Sequence, residues 1–243
     1  MQINIITLFP EIFDALNYGL LGQAIDRKEI SINLINLRDF SMNDYGQIDD
    51  KPYGGGEGMV LMIEPLSKAL ESMTKDIRGY VINMSPQGER LSNNKAKEIS
   101  TRRSITIIAG RYEGVDERFI QKHVDEEISI GDYILSGGEF AALSVIDAAA
   151  RMIPGVIGNQ KSIELDSFSE GLLKGPVYTR PEIYNELSVP EVLLSGNHGK
   201  IHEWKESQAI QRTLERRPEL LNEIKLTKKQ KKLLEDLSSK SIL

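Results

Sequence analysis

The chain has 243 residues, 40% of them hydrophobic and 27% charged, with a formal net charge of −6 and no cysteine. That length suits one large domain or a medium domain joined to a small one, and the composition is that of a globular protein. The totals exclude disulfides, thiolate zinc sites and a cysteine nucleophile, a membrane span of ~18 apolar residues, and a surface uniformly coated for nucleic acid.

The start, "MQINIITLFPEIFD", lacks a basic region and a small-residue cleavage site, so no signal peptide is expected and a cytoplasmic location is the default. "INIITL" (3–8) predicts a strand, and after Pro10 the pattern "EIFDALNYGLL" predicts a helix. "EISINLINL" (29–37) predicts a second strand, with β-branched residues at alternate positions. "YVINMS" (80–85) and "SITIIAG" (104–110) are continuous apolar runs ending in turn residues, the look of strands covered on both faces of a parallel sheet. "SNNKAKEIST" and "DERFIQKHV" predict short helices, "EEISIG" another strand, and "GEFAALSVIDAAARMI" a long apolar helix. This alternation describes an α/β fold with a mostly parallel sheet.

"PGVIGNQKSIELDSFSEGLLKGPVYTRP" (154–181) breaks the pattern with four glycines and three prolines and reads as a linker. An all-helical part follows. Pro218 can open a helix at its first position, and "LTKKQKKLLEDL" begins with a Thr227-x-x-Gln230 capping box, with Leu226 placed to staple it. From Lys200 to Leu243, 11 Lys+Arg stand against 7 Asp+Glu, which leaves 19 basic and 29 acidic residues in the first 199. An acidic body with a basic tail suits a small-molecule domain joined to a polyanion-binding one; solvated lysine-rich helices are the plainer alternative.

Ligands of a parallel α/β sheet collect at the carboxyl ends of its strands. Three such ends here are turn-rich: "MSPQG" (84–88), "AGRYEG" (109–114) and "SIGDYILSGG" (129–138). Their backbone groups leave the sheet and need partners, and a purine edge offers them. Glycine-bearing βα turns with no ligand are the alternative for each one alone. Neither a dinucleotide fingerprint nor a P-loop is present.

The segments "KPYGGGEGM", "MSPQG", "AGRYEGVDER", "SIGDYILSGGE", "IPGVIG", "DSFSEGLL", "YTRPE" and "VLLSGNHGKI", in this order, resemble the bacterial tRNA (guanine-N1)-methyltransferases of the SPOUT superfamily. The resemblance runs from "ITLFPEIF" to the basic C-terminal helices. It implies an α/β fold whose mostly parallel sheet ends in a deep C-terminal trefoil knot, although base rates disfavour knots. The expected layout is a knotted cofactor domain over 1–158, a flexible linker over 159–176 and a small helical tRNA-binding domain over 177–243.

The resemblance also implies S-adenosylmethionine, with its adenine against Ile130, Gly131, Asp132, Tyr133, Ile134 and Leu135, and with Gly137 and Gly138 permitting close approach. Met84, Ser85, Gly110 and Tyr112 complete the expected cofactor wall. Glu113 resembles an acidic residue near the methionine end and near the magnesium that some members need; no tightly bound metal is expected. Asp49 and Gly58 bracket a loop resembling part of the target-base pocket. The implied partners are the anticodon stem-loop of tRNA and a second copy of the chain, in a homodimer whose active sites are shared. Maintenance of the reading frame is the implied role.

Guanine N1 carries a proton that must leave before N1 can attack an electrophilic methyl, so a general base is required. His123 and His202 lie in helical segments, while His198, in the glycine-flanked "SGNHGK", stays a candidate for substrate contact. Asp166 reads by itself as a cap of the following turn; the resemblance makes it the base. Arg151 reads by itself as a helix C-terminal cation; the resemblance makes it the group that stabilises charge on the guanine oxygen. The chain departs from the family pattern at Lys174, where an acidic residue is usual, at Val177, where histidine is common, and at Asn83, where tyrosine is frequent. A nucleotide-sensing RNA-binding protein without catalysis, and an open-sheet methyltransferase or hydrolase, are the alternatives.

Overall fold

The continuous apolar runs become the strands of one parallel sheet. In the computed structural model, which describes residues 1–158 and 166–240, β1 (Gln2–Thr7), β2 (Ser31–Asn36), β5 (Tyr80–Arg90), β6 (Ser104–Ile108) and β7 (Glu126–Ser129) pair in the order β2-β1-β6-β5-β7. Every neighbouring pair is parallel. A separate antiparallel pair joins β3 (Asp49–Asp50) to β4 (Val60–Leu61). The helices between the strands are α1 (Gly19–Asp26), α2 (Ile63–Glu71), α3 (Lys75–Arg78), α4 (Asn93–Ser100), α5 (Glu117–His123) and α6 (Glu139–Ala150).

Strand alternation sorts the side chains onto two cores. Ile3, Ile5, Ile82, Ile105 and Ile107 pack with Phe13, Ile99, Val145 and Ile146 on one face. Ile6, Val81 and Ile108 pack with Leu66, Leu70 and Phe119 on the other. The buried amide of Asn4 is bonded, as burial demands: its Nδ2 donates to the carbonyls of Ile77 (2.7 Å) and Ile105 (3.1 Å).

Three local expectations need correction. The segment "EIFDALNYGLL" is not one helix: a 3-10 helix over Pro10–Asn17 is separated from α1 by an extended Tyr18. Gly19 sits at φ 65°, a left-handed conformation that breaks the helix where glycine permits it. The second correction concerns β5, which does not end in the "MSPQG" turn. It pairs with β7 through Met84, extrudes Ser85–Gly88, and resumes at Glu89 and Arg90 opposite Ile128 and Ser129. Gly88 makes this return possible, since a Cβ there would overlap the Glu127–Ile128 backbone. Lastly, Pro218 lies ahead of the helix it was expected to open, because that helix begins at Leu220 with Glu219 as its N-cap.

The chain divides into two compact units, 1–158 and 159–243. Residues 159–165 of the expected linker lie outside the described residues. The second unit contains a hairpin of β8 (Ile183–Tyr184) and β9 (Leu187–Ser188), followed by α7 (Glu191–Leu194), α8 (His198–Arg216), α9 (Leu220–Glu223) and α10 (Lys228–Lys240). Asn197 caps α8 through the Lys200 amide. The capping box of α10 closes as its spacing predicts: Thr227 N–H donates to Gln230 Oε1 (2.9 Å) and Gln230 N–H to Thr227 Oγ1 (3.2 Å). Among the described residues no helix is long and apolar enough to cross a membrane.

Candidate active site

The three turn-rich strand ends converge on one cleft of about 500 Å³, a size within the usual range for small-molecule sites. Its walls are the extruded segment of β5, the turn after β6 and the stretch from β7 to α6. Met84, Ser85, Gly110, Tyr112, Glu113, Ile130, Gly131, Tyr133, Ile134, Leu135, Gly137 and Gly138 all line it. Asp132 does not; its side chain is turned outward to the Arg90 guanidinium.

The chain leaves β7 at one edge of the sheet and crosses to the end of β6. There Gly138 N–H donates to the Gly110 carbonyl at 2.7 Å. A Cβ on Gly138 would lie 2.9 Å from Ala109 Cα and 3.0 Å from Gly110 N, so only glycine allows this approach. Glu139, fully buried at the first turn of α6, takes the Arg111 Nε–H on both carboxylate oxygens (3.0 and 3.1 Å). Its position at a helix N-terminus adds a favourable dipole. The Arg111 guanidinium lies over the Phe9 ring, 4.4 Å from its centroid, and donates from Nη1 to the Ser136 carbonyl at 3.3 Å. This pairing holds the crossing segment down on the floor of the cleft.

Two properties define what the cleft accepts. Tyr112, Tyr133, Ile134 and Leu135 are held in it with their apolar surfaces exposed, a surface suited to a flat apolar ligand. Glu113, Glu117 and Glu127 also line it, whereas Arg111, the one cationic side chain among the described lining residues, is already paired with Glu139. The cleft is acidic, which disfavours a phosphate and favours a cation. Asn83, largely buried, also lines it and donates from Nδ2 to Glu127 Oε1 (2.8 Å); among the described residues its Oδ1 has no partner.

The glycine-rich loop reaches the cleft from another side. A Cβ on Gly58, whose φ is 92°, would fall 2.6 Å from Glu113 Cγ, and Glu113 N–H donates to the Met59 carbonyl at 2.9 Å. Asp49 stands in β3 opposite Leu61 and does not line the cleft. Arg151 is the C-cap of α6, its N–H donating to the Asp147 carbonyl at 3.2 Å. Asp166 and His198 belong to the second unit; Asp166 Oδ1 is ion-paired with Lys174 Nζ at 3.1 Å, and His198 is the exposed first residue of α8. Among the described residues no group of carboxylates and imidazoles is close enough to hold a metal ion.

Sequence reasoning missed Glu139, Glu117 and Glu127. A carboxylate at the start of an apolar helix, as in "GGEFAALSV", was the available signal for Glu139.

A parallel sheet carrying an acidic, apolar-faced cleft on glycine-bearing turns at its strand ends defines an α/β protein whose cleft suits a small organic cation. The tRNA (Guanine-1)-methyltransferase TrmD family matches residues 1–223. The chain is 50% identical to the tRNA (guanine-N(1)-)-methyltransferase of Staphylococcus epidermidis, over 99% of this chain and 98% of that protein. The proteins of the same name from Carboxydothermus hydrogenoformans (52% identity, 96% of this chain, 92% of that one) and Haemophilus ducreyi (48%, 96% of each) are similar throughout. The chain belongs to the tRNA (guanine-N1)-methyltransferase family, and its α/β architecture is that of the SPOUT superfamily.

Proposed function

We propose that this methyltransferase moves the methyl group of S-adenosylmethionine to N1 of the tRNA guanosine on the 3′ side of the anticodon. The observation that carries the cofactor assignment is the acidic cleft with exposed apolar side chains and no phosphate cradle. S-adenosylmethionine is a cation with a flat adenine and no phosphate, and it fits that donor set. When bound, it supplies an electrophilic methyl group on sulfur.

In this reading Tyr133, Ile134 and Leu135 cover the adenine, Gly138 and Gly110 admit it to the strand ends, and Glu113 faces the cationic end. Asp166 accepts the N1 proton, and Arg151 offsets the negative charge that then gathers on the guanine oxygen. Asp49, Gly58 and His198 contact the target nucleotide. The trefoil threading, the division into a cofactor domain (1–158), a connecting segment (159–176) and an RNA-binding domain (177–243), and a homodimer sharing its active sites all rest on the family resemblance. So do a cytoplasmic location, a role in reading-frame maintenance and a use for magnesium, to which this reading assigns no protein ligands.

Mass spectrometry of nucleosides from unmodified tRNA incubated with protein and S-adenosylmethionine tests the reaction. N1-methylguanosine is expected. In Asp166→Asn, calorimetry should show cofactor binding unchanged while methyl transfer falls by about 10²- to 10⁴-fold, the range of a general base. Retained turnover would remove Asp166 from that role.

A further inference from the structure

Residues 166–175 form a closed turn on the second unit. Phe168 N–H donates to the Leu172 carbonyl (2.8 Å) and Gly171 N–H to the Phe168 carbonyl (3.2 Å). Lys174 N–H donates to Ser167 Oγ (3.0 Å), and Leu173 N–H to Oγ1 of the fully buried Thr213 (3.0 Å), which anchors the turn on α8. Leu172 is buried as well. This closure returns the chain to its start, so that Lys174 Nζ stands 3.1 Å from Asp166 Oδ1, eight residues back.

We infer that Lys174 is a positioning residue for Asp166, which rests on the reading of Asp166 as the general base. An ammonium has three donors and no acceptor, so Lys174 cannot take the N1 proton itself. By holding one carboxylate oxygen it fixes the direction in which the other points before guanine arrives. Both side chains are partly exposed, 44% for Lys174 and 37% for Asp166, and such pairs add little to fold stability. The contribution lies in orientation, where a small misplacement of a proton acceptor costs rate. The backbone supports this division of labour: the turn is closed by main-chain and buried contacts that do not need the lysine side chain.

Steady-state kinetics of full-length Lys174→Met and Lys174→Arg with unmodified tRNA and S-adenosylmethionine test the inference, with thermal melts as a check on folding. Lys174→Met should lower kcat about fivefold, the size an exposed ion pair supports, with both KM values and the melting temperature unchanged. Lys174→Arg should restore most of the rate. An unchanged or higher kcat in Lys174→Met, a loss confined to the KM for tRNA, or no rescue by arginine would overturn the assignment. Asp166→Asn measured alongside separates the two readings. If it is inactive while Lys174→Met is normal, only the positioning role fails; if it is active, the base itself is misassigned.

Discussion

Arg111 and Glu139, 28 residues apart in the chain, form an ion pair in which the carboxylate is fully buried and the guanidinium side chain is 20% exposed. It bolts the start of α6 to the turn after β6, and the cleft lies directly on that joint. Removing one partner of a buried pair strands the other charge. Glu139→Ala is expected to destabilise the protein by about 3 kcal/mol and to weaken S-adenosylmethionine binding. Chemical denaturation and calorimetry measure the two effects; a variant as stable as the parent would show that the pair does not organise the floor.

At Gly138 the constraint is steric. The nearest atoms to an added methyl are backbone, Ala109 Cα at 2.9 Å and Gly110 N at 3.0 Å, and backbone yields less readily than a side chain. Gly138→Ala should therefore lift the start of α6 and stretch the bond to the Gly110 carbonyl. Cofactor affinity is expected to fall about tenfold, or ~1.4 kcal/mol, with an unchanged circular dichroism spectrum. Unaltered affinity by titration calorimetry would contradict the close-approach argument.

His123 is expected to give the fold a pH dependence. Burial, and next the Lys122 charge, push its imidazole below the ordinary histidine range; its ring lies 5.1 Å from that of Phe119. Because the unfolded chain binds the proton more readily, this histidine contributes stability above its unfolded pKa near 6.5, and that contribution is lost as pH falls toward the lower folded value. His123→Leu should be less sensitive to pH between about 6.5 and 5 than the parent. Parallel slopes in melts across that window would refute the assignment.

The exposed lysines of α10 test whether the second unit docks tRNA. Lys228, Lys231 and Lys232 are exposed, and Lys229 is engaged with Glu203 at 3.1 Å. Replacing Lys228, Lys231 and Lys232 with glutamine should weaken tRNA binding and flatten the plot of log affinity against log salt by about 2 to 3. A slope equal to the parent's would place the phosphate contacts elsewhere.

The strands and the cleft were legible because they rest on short-range signals. Ile105 to Ile108 announce a strand covered on both faces, and Gly110, Gly131, Gly137 and Gly138 mark where the backbone must turn or approach closely. What stayed hidden depends on partners distant in sequence. Nothing local in "SPQGER" shows that Glu89 and Arg90 rejoin the ladder, since Pro86 and the polar run read as loop and the pairing comes from Ile128 and Ser129. The burial of Glu139 is set by Arg111. Asp132 turns away from the cleft because Arg90, 42 residues earlier, draws it outward. Lys174 meets Asp166 through a turn without periodicity, which no pattern rule addresses.

The extruded bend of β5 has a consequence for the nascent chain. Domains fold as they leave the ribosome, amino end first, yet residues 83–87 and 110–115 form only two sides of the cleft, and the third arrives with 128–138. Until Gly138 has emerged, the cleft lacks its third side. A ligand held by all three sides therefore stabilises only a chain that has grown past that point, acting as a seal on an assembled cleft and never as a template for a partial one.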